Sequence, residues 1–60
     1  MKKGQRIKLK VIEGYEAYEG VKGTVLHHDK SQNLVVLSMD RNIDGEYTFI
    51  TSPKEICRLP

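Results

Sequence analysis

From Gln5 to Ile12 the chain alternates, with Ile7, Leu9 and Val11 at one parity and Arg6, Lys8 and Lys10 at the other. A period of two belongs to a strand with one face in the core and one in water. The pattern predicts a first strand over Gln5–Ile12 with its three apolar side chains turned inward. Glu13–Gly20 follows neither the strand nor the helix period and contains Gly14 and Gly20, so it reads as a long loop. Val21–His28 returns to strand character, with Val21, Gly23 and Val25 sharing a face and Gly23 marking a bend or a close backbone approach.

Asp29–Asn33 has turn composition, and Leu34–Met39 is a nearly continuous apolar run, too short for a helix, that predicts the most buried strand. Asp40–Gly45 reads as a second turn, in which the Asp44-Gly45 pair supplies the positive φ a tight hairpin needs. Glu46–Ile50 is the fourth strand, with Tyr47 and Phe49 on one face and Phe49 the aromatic expected inside. Ser52 precedes Pro53 at the start of what reads as one helical turn through Glu55, and Ile56–Leu59 closes the chain as a short strand. The result is a single all-β domain of five short strands, without repeats or linkers.

This order of elements resembles the small SH3-like barrels, a group that includes KOW and Tudor-type modules and bacterial and phage domains. Three segments carry the resemblance: Lys3-Gly4-Gln5-Arg6-Ile7-Lys8-Leu9, similar to an opening G-x-R-V-x-L strand; Gly20-Val21-Lys22-Gly23-Thr24-Val25, similar to a G-x-x-G-T-V second strand; and Ser52-Pro53-Lys54-Glu55-Ile56, similar to the 3₁₀ turn before the last strand. The resemblance implies a five-stranded SH3-like barrel with one short 3₁₀ turn, the last strand pairing with the first. It describes construction rather than function, which has to be argued from sites. The acidic first loop departs from the KOW pattern.

Composition narrows the classes. With 60 residues the chain can build one small core, and a domain of this size has little apolar material left to wall off a deep pocket. There is no nucleophile–base pair with an orienting group, no carboxylate dyad, no phosphate loop and no complete metal-ligand set in the sequence, so the reading is a binding module rather than an enzyme, with no cofactor. Cys57 is the only cysteine. It cannot form an internal disulfide and is expected to pack as a small apolar residue, which fits a reducing, cytoplasmic setting. No apolar run approaches the length of a membrane span. A monomer or weak dimer is expected.

The net charge of +2 hides an asymmetry: Lys2, Lys3, Arg6, Lys8 and Lys10 crowd the first ten residues, and Glu13, Glu16 and Glu19 follow. Arg6, Lys8 and Lys10 on the wet face of one strand form a row of cations about 7 Å apart that could track phosphates, with Lys22 and Arg58 widening it. The bland alternative is a solubilising face that guards the strand from aggregation. Tyr15 and Tyr18 in the long loop could hold a proline-rich segment, a cation or a base, or could simply pack. Glu13, Glu16 and Glu19 recur every three residues around them, either as an ordinary solvated loop or as a negative ridge that would make the molecule dipolar and suit a protein partner.

Two metal motifs are weak. Asp40-Arg41-Asn42-Ile43-Asp44-Gly45 matches the start of a calcium loop, but its twelfth position is Thr51 and its flanks read as strands, which favours a turn. His27 and His28 are adjacent on a strand, so their rings point to opposite faces. Two functions stay open at this point: nucleic-acid or ribonucleoprotein association through Arg6, Lys8, Lys10, Lys22 and Arg58, or docking on a larger protein, as a phage or bacterial accessory protein would, through Tyr15 and Tyr18.

Overall fold

A computed structural model describes residues 1–60. Five strands, β1 (Arg6–Leu9), β2 (Lys22–Asp29), β3 (Leu34–Ile43), β4 (Glu46–Thr51) and β5 (Ile56–Arg58), form one antiparallel sheet in the order β4-β3-β2-β1-β5. There is no α-helix. Two single 3₁₀ turns complete the chain, Glu16–Tyr18 in the long loop and Pro53–Glu55 before β5. The second was expected from Ser52-Pro53; the first was not, because no periodicity announces a single turn. The last strand pairs with the first, Leu9 opposite Ile56 and Lys8 opposite Cys57.

No pairing joins β4 to β5, so the sheet is open, and the closed barrel implied by the resemblance is not completed by hydrogen bonds. The core is nevertheless a single cluster of Ile7, Leu9, Val21, Val25, Val35, Leu37, Met39, Ile43 and Ile56 on the sheet's inner face. With no second layer to cover them, these side chains are shielded because the sheet bends around them and the long loop closes over one side. Tyr18, Phe49 and Met1 pack against the same cluster.

Gly23 belongs to that inner face, and its value is sterics rather than φ. A Cβ added there would sit 2.8 Å from the Ser38 carbonyl oxygen and 3.0 Å from Met39 Sδ, so the close backbone approach read from the sequence is present. Asp44 and Gly45 have φ of 54° and 83°, which makes the two-residue turn between Ile43 and Glu46 a hairpin of the primed type.

Four details differ from the alternation pattern. β1 ends at Leu9: the Leu9 amide and carbonyl make the last bonds to the β2 side, with Val21 and Gly20, the Lys10 amide makes the last one to the β5 side, with Glu55, and Val11 makes no backbone hydrogen bond. Val11 is therefore 64% exposed instead of inward. The pairing of β2 with β3 slips between Val25 and His27; Leu26 is the extra residue, turned to water, and the slip reverses parity so that His28 turns inward and His27 outward. β3 runs on through Asp40–Ile43, which the sequence assigned to a turn, and only Asp44-Gly45 turns. Cys57 is exposed rather than packed, since its register with Lys8 puts it on the outer face.

Candidate functional site

The outer face of the sheet is where the cationic row was expected. Arg6 and Lys8 stand on it, and the register sets Lys22 directly opposite Lys8 and Thr24 opposite Arg6. Arg6, however, is spoken for. Its guanidinium forks onto the Asp40 carboxylate, Nη1 donating to Oδ1 at 2.9 Å and Nη2 to Oδ2, and Nη1 also reaches Thr24 Oγ1 at 2.9 Å. The two donated bonds, helped by the charges of Arg6 and Lys22, hold the Asp40 carboxyl below the usual carboxylate range.

Lys10 lies beyond the end of β1, with Nζ donating to the Lys54 carbonyl at 3.3 Å over the second 3₁₀ turn. Arg58 pairs with Ile7, a core residue, and so has the opposite parity from Arg6 and Lys8. It does not widen the cationic face; it stands at the β5 edge of the other side. Of the five cations expected to act together, Lys8 and Lys22 form a matched pair without a salt-bridge partner, though Lys22 lies in the field of Asp40, Lys10 sits at the strand's end, Arg6 is ion-paired and Arg58 is elsewhere.

The aromatic residues behave in the reverse way: Tyr15 and Tyr18 meet Phe49, more than thirty positions further along the sequence. Tyr18, in the first 3₁₀ turn, stacks on Phe49 of β4 with ring centroids 4.2 Å apart and planes inclined by 27°. Tyr15 meets Phe49 edge-on at 5.7 Å and Tyr18 at 6.4 Å. The 3₁₀ turn fixes this geometry, because the Tyr18 and Glu19 amides donate to the Tyr15 and Glu16 carbonyls and the Val21 amide donates back to Tyr18. Tyr18 and Phe49 are half-buried against the core, whereas Tyr15 is 54% exposed and Tyr47, two residues along β4 on the same face, is 55% exposed. Glu13, Glu16 and Glu19 all lie exposed in the same loop.

Sequence reasoning named Tyr15 and Tyr18 but missed Phe49 as their support and Asp40 as the partner that removes Arg6. The D-x-N-x-D-G segment is occupied in building the hairpin: Asp40 binds Arg6, and Asn42 Oδ1 accepts the Gly45 amide at 3.0 Å. Asp29 organises the preceding turn, accepting from the Ser31 hydroxyl and amide and from the Gln32 amide, which lowers its carboxyl from the ordinary value. No helix of the protein is long and apolar enough to cross a membrane. No protein-family model, curated protein or solved structure matches this chain.

Proposed function

We propose that this chain is a non-catalytic binding module on an SH3-like framework, and that it docks on an extended protein segment through Tyr15, Tyr18 and Phe49. The strand order β4-β3-β2-β1-β5 with a 3₁₀ turn before β5 supports the SH3-like assignment. The observation that carries the functional reading is the aromatic cluster itself, three rings locked together between a loop and a strand with Tyr15 left open to water. Rigid rings lose little entropy when a ligand arrives, and aromatic anchors dominate interface energies. The glutamates around them favour a segment carrying proline or apolar groups together with at least one cation.

The test uses synthetic proline-rich peptides with and without an arginine, measured by fluorescence anisotropy. Tyr15→Ala should weaken binding of the arginine-bearing peptide at least tenfold, since it removes an exposed ring without touching the core, while Lys8→Glu should leave it unchanged or slightly tighter. Equal loss in both variants, or no binding by any such peptide, overturns this reading.

A second reading, nucleic-acid or ribonucleoprotein association, rests on the Lys8–Lys22 pair. Like charges directly opposed on a sheet repel, and an anion bridging them would relieve that cost. With Lys10 nearby the surface offers three cations, so the binding it supports is weak and falls steeply with salt. Lys8→Glu combined with Lys22→Glu would abolish it, and retention of an oligonucleotide by that variant would eliminate the reading.

A further inference from the structure

The two edges of the open sheet are built differently. β5 is three residues long, follows Pro53, precedes Pro60 and carries Arg58; short length, prolines and charge are the usual devices that keep an edge from pairing with another chain. β4 has these only at one end, where Glu46 sits and its pairing with β3 is irregular between Ser38 and Ile43. It runs six residues as Glu-Tyr-Thr-Phe-Ile-Thr, without proline, lysine or arginine, and its one charge, Glu46, is at the end beside the turn. Tyr47 and Ile50 are 55% and 56% exposed on opposite faces of this one strand. Apart from the ladder with β3, no backbone or side-chain hydrogen bond engages any β4 backbone group, so the outward N–H and C=O groups of β4 lack a protein partner.

We infer that β4 pairs antiparallel with β4 of a second copy of this chain, forming a two-fold dimer through a continuous ten-stranded sheet. The sequence of the strand selects this occupant, because it is complementary to itself. With the axis at Thr48, Tyr47 faces Phe49 of the partner subunit and Glu46 faces Ile50 of the partner subunit, so the aromatic pair forms twice and no like charges are opposed. Each acidic Asp44–Glu46 tip then lies at the end of the other β4, three residues before Lys54. The same register joins the inner faces side by side and continues each aromatic cluster onto the other subunit's Tyr47. A core of nine apolar residues in 60 gains most from such an extension, since small domains bury the least of their surface. The inference shares Phe49 with the docking reading but does not rest on it, because it concerns the backbone edge of β4 and needs no ligand.

Sedimentation equilibrium over a wide protein concentration range gives the first result: a monomer–dimer equilibrium with no larger species. Thr48→Lys and Thr48→Glu, exposed substitutions that oppose like charges at the axis, should each shift the protein to monomer, and an equimolar mixture of the two should restore the dimer. Should either variant fail to fold by circular dichroism, wild-type amide shifts followed by NMR on dilution serve instead, and they should concentrate in residues 46–51. A monomer at every concentration, assembly beyond the dimer, dimerisation indifferent to both Thr48 substitutions, or dilution shifts centred away from β4 would each overturn the inference.

Discussion

The outer face of β1 and β2 and the seam between the long loop and β4 were both candidates for binding, and they diverge in how their residues are used. On the outer face a regular row of cations is broken up by tertiary structure: Asp40 captures Arg6, and register removes Arg58. At the seam, tertiary structure does the opposite and gathers Tyr15, Tyr18 and Phe49 into one cluster. The difference teaches that charge periodicity along one strand overstates a surface, because neighbouring strands supply counter-charges the strand itself does not reveal. Dispersed aromatics are understated for the matching reason.

The sharpest way to break this contrast is to remove a member of each region and compare stability. Phe49→Ala should cost roughly 2–3 kcal/mol in urea unfolding, less than a fully buried phenylalanine, because the ring is half-buried but supports both tyrosines. Lys8→Ala should stay within roughly 0.5 kcal/mol, since an exposed side chain with a like-charged neighbour has little to lose. Comparable costs in the two variants would erase the distinction.

Gly23→Ala tests the sheet that carries both regions. The new methyl group collides with the Ser38 carbonyl across the β2–β3 ladder, and the forced shift should cost roughly 1–3 kcal/mol. The same urea unfolding measurement checks it, and an unchanged midpoint would mean the two strands are not that close.

A smaller effect comes from Asp40→Asn. Asp40's carboxyl is held below its unfolded value by the Arg6 hydrogen bonds, so its contribution is complete above the ordinary carboxylate range and is lost as pH falls through the lowered value. Wild-type stability should therefore decline in acid more steeply than that of the variant, as denaturation across the acid range would reveal. The variant also frees Arg6, so any weak oligonucleotide affinity should rise and its salt dependence steepen. An acid profile identical to wild type would remove the ion pair from the account.

Much of the framework was legible. Ile7 and Leu9 alternate with cations and are buried, Asp44-Gly45 is the hairpin turn, Gly23 is the close approach and Ser52-Pro53 opens a 3₁₀ turn. What escaped the sequence depends on partners far along the chain. Val11 continues the alternation but has no ladder to hold it, because backbone bonding to β2 stops at Leu9 and to the β5 side at Lys10. Asp40–Ile43 has turn-forming residues, yet the strand runs on through it to Ile43, which pairs with Glu46 of β4. The slip at Leu26 reverses parity within a run where either histidine fits either face. Asp40 is 34 positions from Arg6, and only the strand order brings them together.

The central claim, that the chain binds through its aromatic seam rather than its cationic face, is tested most directly by mapping backbone amide shifts at low and high salt. The probes are an arginine-bearing proline-rich peptide and a short oligonucleotide. The account predicts that the peptide perturbs residues 13–19 and 47–50 and that these shifts persist at high salt. Perturbation by the oligonucleotide alone, centred on Lys8 and Lys22 and lost at high salt, would contradict it.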